Sequence, residues 1–146
     1  MKQDPCTYTV SAVRQRRRRA LPPPVRTPEE VLRLVRPLVR DADREHFYCV
    51  HLSARNTVLE VTLVSVGTVN ASLVHPREVF KRAIALSAAS IILAHNHPSN
   101  DPSPSADDLD ITSRLTKAGE LLGIEVLDHV IVAEGSYTSF RQERLL

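Results

Sequence analysis

The segment AHNHPSNDPSPSADDLD, residues 94–110, places two imidazoles and a carboxylate at a spacing that suits a metal ion. His95 and His97 are two residues apart, so in extended backbone both side chains point the same way and can converge on one ion. Asp108 falls in the first turn of a predicted helix that the loop can fold back over them. Zinc binds such donors, and three protein ligands leave a fourth position for water, as in catalytic zinc sites. The spacing therefore predicts one Zn2+ per chain on His95, His97 and Asp108.

Asp108 also has an alternative interpretation that needs no metal. Ser105 and Asp108 stand three residues apart and match a capping box, so Asp108 could simply cap its own helix. The two interpretations are compatible for Ser105, whose backbone can start the helix while its hydroxyl faces a metal-bound water.

A zinc hydrolase also needs a general base that takes a proton from the attacking water. Glu45, in DREHFYCVHL, is the candidate because it stands at the mouth of an apolar strand expected to lie beside the central sheet. The alternative is that Glu45 is one more charge at the end of a strand.

The elements that must position these residues alternate between strands and helices, which predicts an α/β domain with a mixed sheet. The first predicted helix starts at TPEE, with Thr27 as N-cap, Pro28 at the first helical position and Glu30 closing a capping box. Pro37 is expected to kink or interrupt this helix. Its predicted apolar face consists of Val31, Leu34, Val35 and Leu38.

Three neighbouring strands are predicted next, in HFYCVHLSA, TVLEVTLVSVG and TVNASLV, with antiparallel pairing suggested by their tight links. HPREVFKRAIALSA predicts a helix, and SIILA a short strand buried on both sides. The predicted apolar face of that helix consists of Val79, Phe80, Ala83 and Ile84. A helix from Ser105 closed by Gly123, the strand IEVLDHVIVA and a terminal strand in GSYTSF complete the pattern.

Composition places the chain among small proteins of a reducing compartment. The length of 146 residues suits one domain, and Cys6 and Cys49 suggest no disulfide framework. No apolar run approaches the roughly 20 residues of a membrane span, and no signal peptide is evident. We therefore expect a cytoplasmic protein with no membrane partner; substrate identity and oligomeric state are not encoded in any pattern.

Charge divides the chain into a basic N-terminal segment, residues 1–26 with a balance of +6, and an acidic remainder, residues 27–146 with a balance of −4. The basic segment includes TYTVSAV, a candidate edge strand over residues 7–13. Its arginines can attract a nucleic-acid backbone, although they also suit a solvated arm that aids solubility. The cluster consists of Arg14, Arg16, Arg17, Arg18 and Arg19.

An upstream glutamate followed by H-x-H-P and then by serine and aspartate resembles the signature of the JAMM (JAB/MPN-plus) metallopeptidases. Four blocks resemble the RadC-like branch of bacteria: REHFYCVHLSARN, VGTVNASLVHPREVFKRAI, IILAHNHPSNDPSPSADD and LLGIEVLDHVIV. The resemblance covers residues 27–146. It implies a cytidine-deaminase-like α/β fold, a mixed sheet flanked by helices (JAB/MPN domain).

The resemblance also implies a function for each site residue. His95, His97 and Asp108 would bind the zinc ion, Glu45 would act as general base, and Ser105 would stabilise the tetrahedral intermediate. Members of the superfamily cleave peptide or isopeptide bonds, including those of ubiquitin-like modifiers. We therefore expect a zinc metallopeptidase with a peptide or protein substrate.

Two features depart from the RadC-like pattern. Asn100 stands where the family block usually has glycine, and asparagine tolerates the left-handed conformation expected there. Longer RadC proteins carry a DNA-binding helix-hairpin-helix module, whereas here we expect only the arginine-rich segment before the domain. His129, in LDHVIV, matches a family block, and we expect it to be a core histidine, the alternative being a contact with the metal ligands.

Two other functions compete with hydrolysis. A nucleic-acid-binding or DNA-repair role would use the arginine cluster, and an inactive scaffold would resemble MPN domains without the metal motif. A deaminase is excluded because the H-x-E and P-C-x-x-C elements are missing.

Overall fold

The computed structural model describes residues 23–67 and 74–146. Within these ranges the chain forms three helices and five strands. They are α1 (Pro28–Val39), β1 (His46–Leu52), β2 (Val58–Val66), α2 (Pro76–Ala85), β3 (Ser90–Asn96), α3 (Ala106–Leu122), β4 (Glu125–Ala133) and β5 (Ser136–Ser139).

The five strands form one mixed sheet in the order β2-β1-β3-β4-β5. Strands β3 and β4 are parallel, and the other neighbouring pairs are antiparallel. Strand β3 lies at the centre and all seven of its residues are buried, which suits the apolar run at residues 91–94 within it. The predicted fold class, an α/β domain with a mixed sheet flanked by helices, is confirmed.

Alternate residues of each strand enter different cores on the two faces of the sheet, because side chains in a strand alternate with a period of two. Phe47 and Leu93 pack with α2 and α3 on one face, whereas Tyr48 and Ala94 pack with α1 on the other. His95 continues the row of Leu93, so its side chain points to the face that α3 covers.

Helix α3 begins and ends as its sequence predicts. Ser105 is its N-cap and accepts the backbone N–H of Asp108 through its hydroxyl. Gly123 closes the helix in the left-handed conformation at φ 68°, where a side chain would be disfavoured. The start of α1 also follows the prediction, since the Glu30 carboxylate accepts the backbone N–H of Thr27.

Gly119 lets α3 approach the next segment of the chain closely. A Cβ atom at this position would lie 2.4 Å from the carbonyl oxygen of Ile124 and 3.3 Å from the ring of Phe80. Gly119→Ala is therefore expected to lower the free energy of unfolding by about 1–3 kcal/mol, although alanine is the better helix former.

Urea denaturation measures this change. Ser113→Ala, at an exposed position of the same helix, is the control and should stay within about 0.5 kcal/mol of the wild type. A Gly119→Ala variant as stable as the wild type would show that the backbone at Ile124 yields easily.

The predicted helices differ from the structure in two details. Of the two effects expected of Pro37, the interruption is absent, since α1 continues to Val39. A proline so near the end removes a hydrogen bond only from the last turn, and the kink stays a prediction. Leu38 and Ile84 were expected in the core and are 48% and 56% exposed. The buried row of α1 is instead Val31, Leu32, Val35 and Val39.

Several expectations concern residues outside the described ranges. These are the candidate edge strand at 7–13, the arginine cluster, Cys6 and nearly all of the predicted strand TVNASLV. The proposed boundary between residues 26 and 27 stays a prediction. Cys49, in the described part, is a buried free cysteine. None of the described helices is both long and apolar enough to cross a membrane.

Candidate metal centre

The structure brings His95, His97 and Asp108 together at one end of the sheet. One potential ligand atom from each lies within 4.8 Å of the others. The Nε2 atoms of the two histidines are 2.9 Å apart. The Oδ1 atom of Asp108 lies 3.1 Å from Nε2 of His95, and its Oδ2 atom lies 3.2 Å from Nε2 of His97.

A strand, the loop that follows it and a helix position these side chains. His95 belongs to β3, His97 follows the end of that strand, and Asp108 lies in the first turn of α3. The loop between them is held by the His97 ring, whose Nδ1 atom lies 2.7 Å from the carbonyl oxygen of Asp101. That contact leaves Nε2 of His97 facing the carboxylate.

Asp108 also caps its helix, as the capping-box interpretation predicted, and this position is compatible with its proposed place among metal ligands. Its Oδ2 atom accepts the backbone N–H of Ser105 at 2.8 Å, and its own N–H donates to the Ser105 hydroxyl at 3.1 Å. The capping box therefore holds the carboxylate at the helix start while both of its oxygens face the histidines.

The electrostatics of the cluster favour a charged carboxylate. Burial alone would raise the pKa of Asp108, but hydrogen bonds from His95 and His97 outweigh it and hold the pKa well below its ordinary value. The hydrogen bond to Asp108 raises the pKa of His97 against the opposing effect of burial. The negative charge of Glu45 adds to that increase.

The donor set fits a metal ion. The two imidazole nitrogens lie 2.9 Å apart beside a buried carboxylate. Their lone pairs would repel each other and the carboxylate unless a positive charge lay among them. A proton or a cation can supply that charge. Two nitrogen donors and one carboxylate within a few ångströms form the set of three protein ligands that is typical of a catalytic zinc site.

Glu45 is the residue just before β1, the strand next to β3. The antiparallel register of β1 and β3 ends with Phe47 opposite His95. Glu45 and His97 each lie two residues beyond this pair, at the same end of the two strands. Glu45 is half-buried, and it borders a cleft of about 440 Å³. The other residues of the cleft are Asp43, Arg44, Gly67 and Pro98.

Asn96 fixes this end of β1 and was missed by sequence reasoning. Its side chain accepts the backbone N–H of His46 at 2.7 Å and donates to the carbonyl oxygen of Arg44 at 2.9 Å. The residue between the two candidate ligand histidines therefore holds the backbone on both sides of Glu45. An asparagine so close to the end of a predicted buried strand was the available signal, because a buried amide needs hydrogen-bond partners.

His129 is fully buried, as a core histidine would be, but its ring also contacts the cluster. Its Nε2 atom lies 2.8 Å from Nδ1 of His95, and its Nδ1 atom lies 2.6 Å from the hydroxyl of Thr112. Burial lowers the pKa of His129 well below its ordinary value, so the ring is neutral near pH 7. Thr112 was missed, although it stands one helical turn after Asp108.

Asn100 adopts the left-handed conformation that was expected of it, with φ 60°. It is exposed in the loop after His97, and its backbone N–H donates to the carbonyl oxygen of His97 at 2.9 Å. Asn100 thus adopts, in this turn, the left-handed conformation for which glycine is the usual residue.

Comparison with known proteins agrees with this geometry. A family model described as "RadC-like JAB domain" matches residues 25–145. A "UPF0758 protein" of Desulforudis audaxviator is 55% identical over 123 residues, which cover 84% of this chain and 54% of that protein. A "UPF0758 protein" of Methanosarcina mazei is 46% identical over 119 residues, with 82% and 52% covered. The chain thus matches only about half the length of each of these relatives.

Proposed function

This chain belongs to the RadC-like JAB domain family, and we propose that it is a JAMM-type zinc hydrolase that cleaves a peptide or isopeptide bond. The observation that carries the proposal is the convergence of His95, His97 and Asp108 within 4.8 Å, close to Glu45, the residue just before β1. Two imidazoles and a carboxylate buried together serve folding poorly, because each polar group there loses its hydration.

His95, His97 and Asp108 would hold the zinc ion. When bound, zinc supplies a Lewis acid that polarises a carbonyl oxygen and lowers the pKa of a coordinated water to about 7. Asp108 suits this position because its charge is already stabilised in the folded protein. Its capping bond from Ser105 keeps the carboxylate from turning away.

Glu45 would transfer the proton. Its carboxylate takes the proton from the attacking water as the new C–O bond forms. The same carboxyl group then protonates the leaving amine as the C–N bond breaks, which returns Glu45 to its charged state. The half-buried position beside the cleft leaves the Glu45 carboxylate accessible to a substrate.

Ser105 would stabilise the developing oxyanion. Its hydroxyl oxygen accepts the N–H of Asp108 through a lone pair, so that bond does not use the hydroxyl proton. The proton can then be donated to the substrate oxygen. Such a donor is typically worth about 3–4 kcal/mol in the transition state.

Metal content and cleavage of a peptide library test this proposal together. We expect the purified protein to bind about one zinc per chain by elemental analysis, as a three-ligand site would. A proteome-derived peptide library should show new termini by mass spectrometry, lost with a chelator and restored by zinc. Protein that takes up no zinc, or cleavage that persists with the chelator, would contradict the proposal.

A further inference from the structure

We propose that Thr112 and His129 are positioning residues that determine which ring nitrogen of His95 is available to the metal. The inference rests on the proposed zinc site and assigns to these two residues a role in that site. It also gives a reason for burying a second imidazole directly behind a metal ligand.

A continuous chain of hydrogen bonds links one ligand to the other through these residues. The Thr112 hydroxyl donates to the backbone carbonyl of Asp108 at 2.5 Å and contacts Nδ1 of His129 at 2.6 Å. Nε2 of His129 then contacts Nδ1 of His95 at 2.8 Å. All four residues are buried, so these contacts do not compete with solvent.

The direction of each bond follows from what its atoms can do. A carbonyl oxygen only accepts, so the single proton of the Thr112 hydroxyl is committed to Asp108. Toward His129 the same hydroxyl must therefore accept, which places the proton of that ring on Nδ1. A neutral imidazole carries one N–H, so Nε2 of His129 is bare and accepts from Nδ1 of His95.

The direction of these bonds also determines which nitrogen of His95 is available to the metal. Nε2 is the His95 atom that faces His97 and Asp108. When the ion is bound, His95 with its proton on Nδ1 presents a bare Nε2 atom, and the hydrogen bond that Nε2 makes to Asp108 without the ion is given up. The opposite arrangement would put an N–H where the ion must bind. Partners that fix the tautomer of a metal-binding histidine typically contribute 10–100-fold in affinity.

The hydrogen-bonding partners of His129 favour its neutral form, and two aromatic rings fix its orientation. Its two hydrogen-bonding partners are a hydroxyl and an imidazole, neither of which carries negative charge. The rings of Phe47 and Phe140 pack against it with centroids 5.5 and 4.7 Å away. Since Thr112 and Asp108 lie one turn apart on α3, the ligand and the positioning hydroxyl belong to one rigid element.

The test compares zinc affinity in variants of Thr112. Thr112→Val keeps the shape but removes the acceptor for His129, and zinc binding measured by competition with a chromophoric chelator should weaken about 10–100-fold. Thr112→Ser keeps the hydroxyl and should bind within about threefold of the wild type. Thr116→Val is the matched control, because Thr116 is one turn further along α3 and its hydroxyl has no hydrogen-bond partner within the described part of the chain.

Nitrogen-15 NMR of the zinc-loaded wild type gives a second measurement that does not depend on any variant folding. We expect the proton of His129 on Nδ1 and a bare Nε2 atom. A proton on Nε2 of His129, or wild-type affinity in Thr112→Val, would overturn the inference while leaving the zinc site intact. Failure of the wild type to bind zinc would overturn the proposed function as well.

Discussion

His97→Ala is expected to leave the protein folded and to abolish its retention of zinc. His97 supplies one of three ligand atoms, and its ring lies at the edge of the cluster rather than in the core. If three ligands share roughly equally a binding free energy of about 12 kcal/mol, losing one weakens binding on the order of a thousandfold. Zinc per chain should then fall from about one to nearly zero after dialysis.

Thermal unfolding with and without added zinc checks the same prediction independently. A ligand that binds only the folded state raises the melting temperature, so zinc should stabilise the wild type and have no effect on His97→Ala. His75→Asn is the control, because His75 is exposed at the start of α2 and asparagine can keep the cap. If His97→Ala still held zinc at full occupancy, the ion would have to bind elsewhere.

Glu45→Gln should have the opposite combination of effects: zinc is retained and hydrolysis is lost. Glutamine has nearly the shape of glutamate but cannot accept a proton, so it removes only the proton transfer. The rate of cleavage of any library peptide that the wild type cuts should fall by about two to four orders of magnitude. Zinc content, measured on the same preparation, should stay at that of the wild type.

Asp43→Asn provides the matched control for Glu45→Gln. Asp43 borders the same cleft and is exposed, so its neutralisation changes the local charge without touching the proposed base. We expect its cleavage rate within about threefold of the wild type, as is usual for a weakly coupled surface charge. Equal losses in the two variants would mean that the cleft needs negative charge, not a base at Glu45.

Local sequence patterns predicted much of the scaffold around the candidate site. The spacing of His95 and His97 implied a common direction because a strand alternates with a period of two. Ser105 and Gly123 marked the bounds of α3 through capping chemistry, and Asn100 suited a left-handed turn. These features depend on neighbours within a few residues, so they can be read from the chain alone.

Long-range partners could not be identified in that way. His129 is 34 residues from His95 and meets it only because β4 pairs with β3 in a particular register. Asn96 reaches the backbone around Glu45 across 50 and 52 residues of sequence. Leu38 and Ile84 have the spacing of core residues, yet no element within residues 23–67 and 74–146 buries their side chains.

The chain's own order of residues was thus enough to establish which donors are available, where the helices begin, and that an α/β domain results. Folding in three dimensions selected which of those donors face one another and which nitrogen of His95 faces Asp108. The physical reason is that propensities, caps and side-chain alternation act over a few residues. Strand register and the packing of α3 on the sheet, in contrast, depend on contacts between distant parts of the chain.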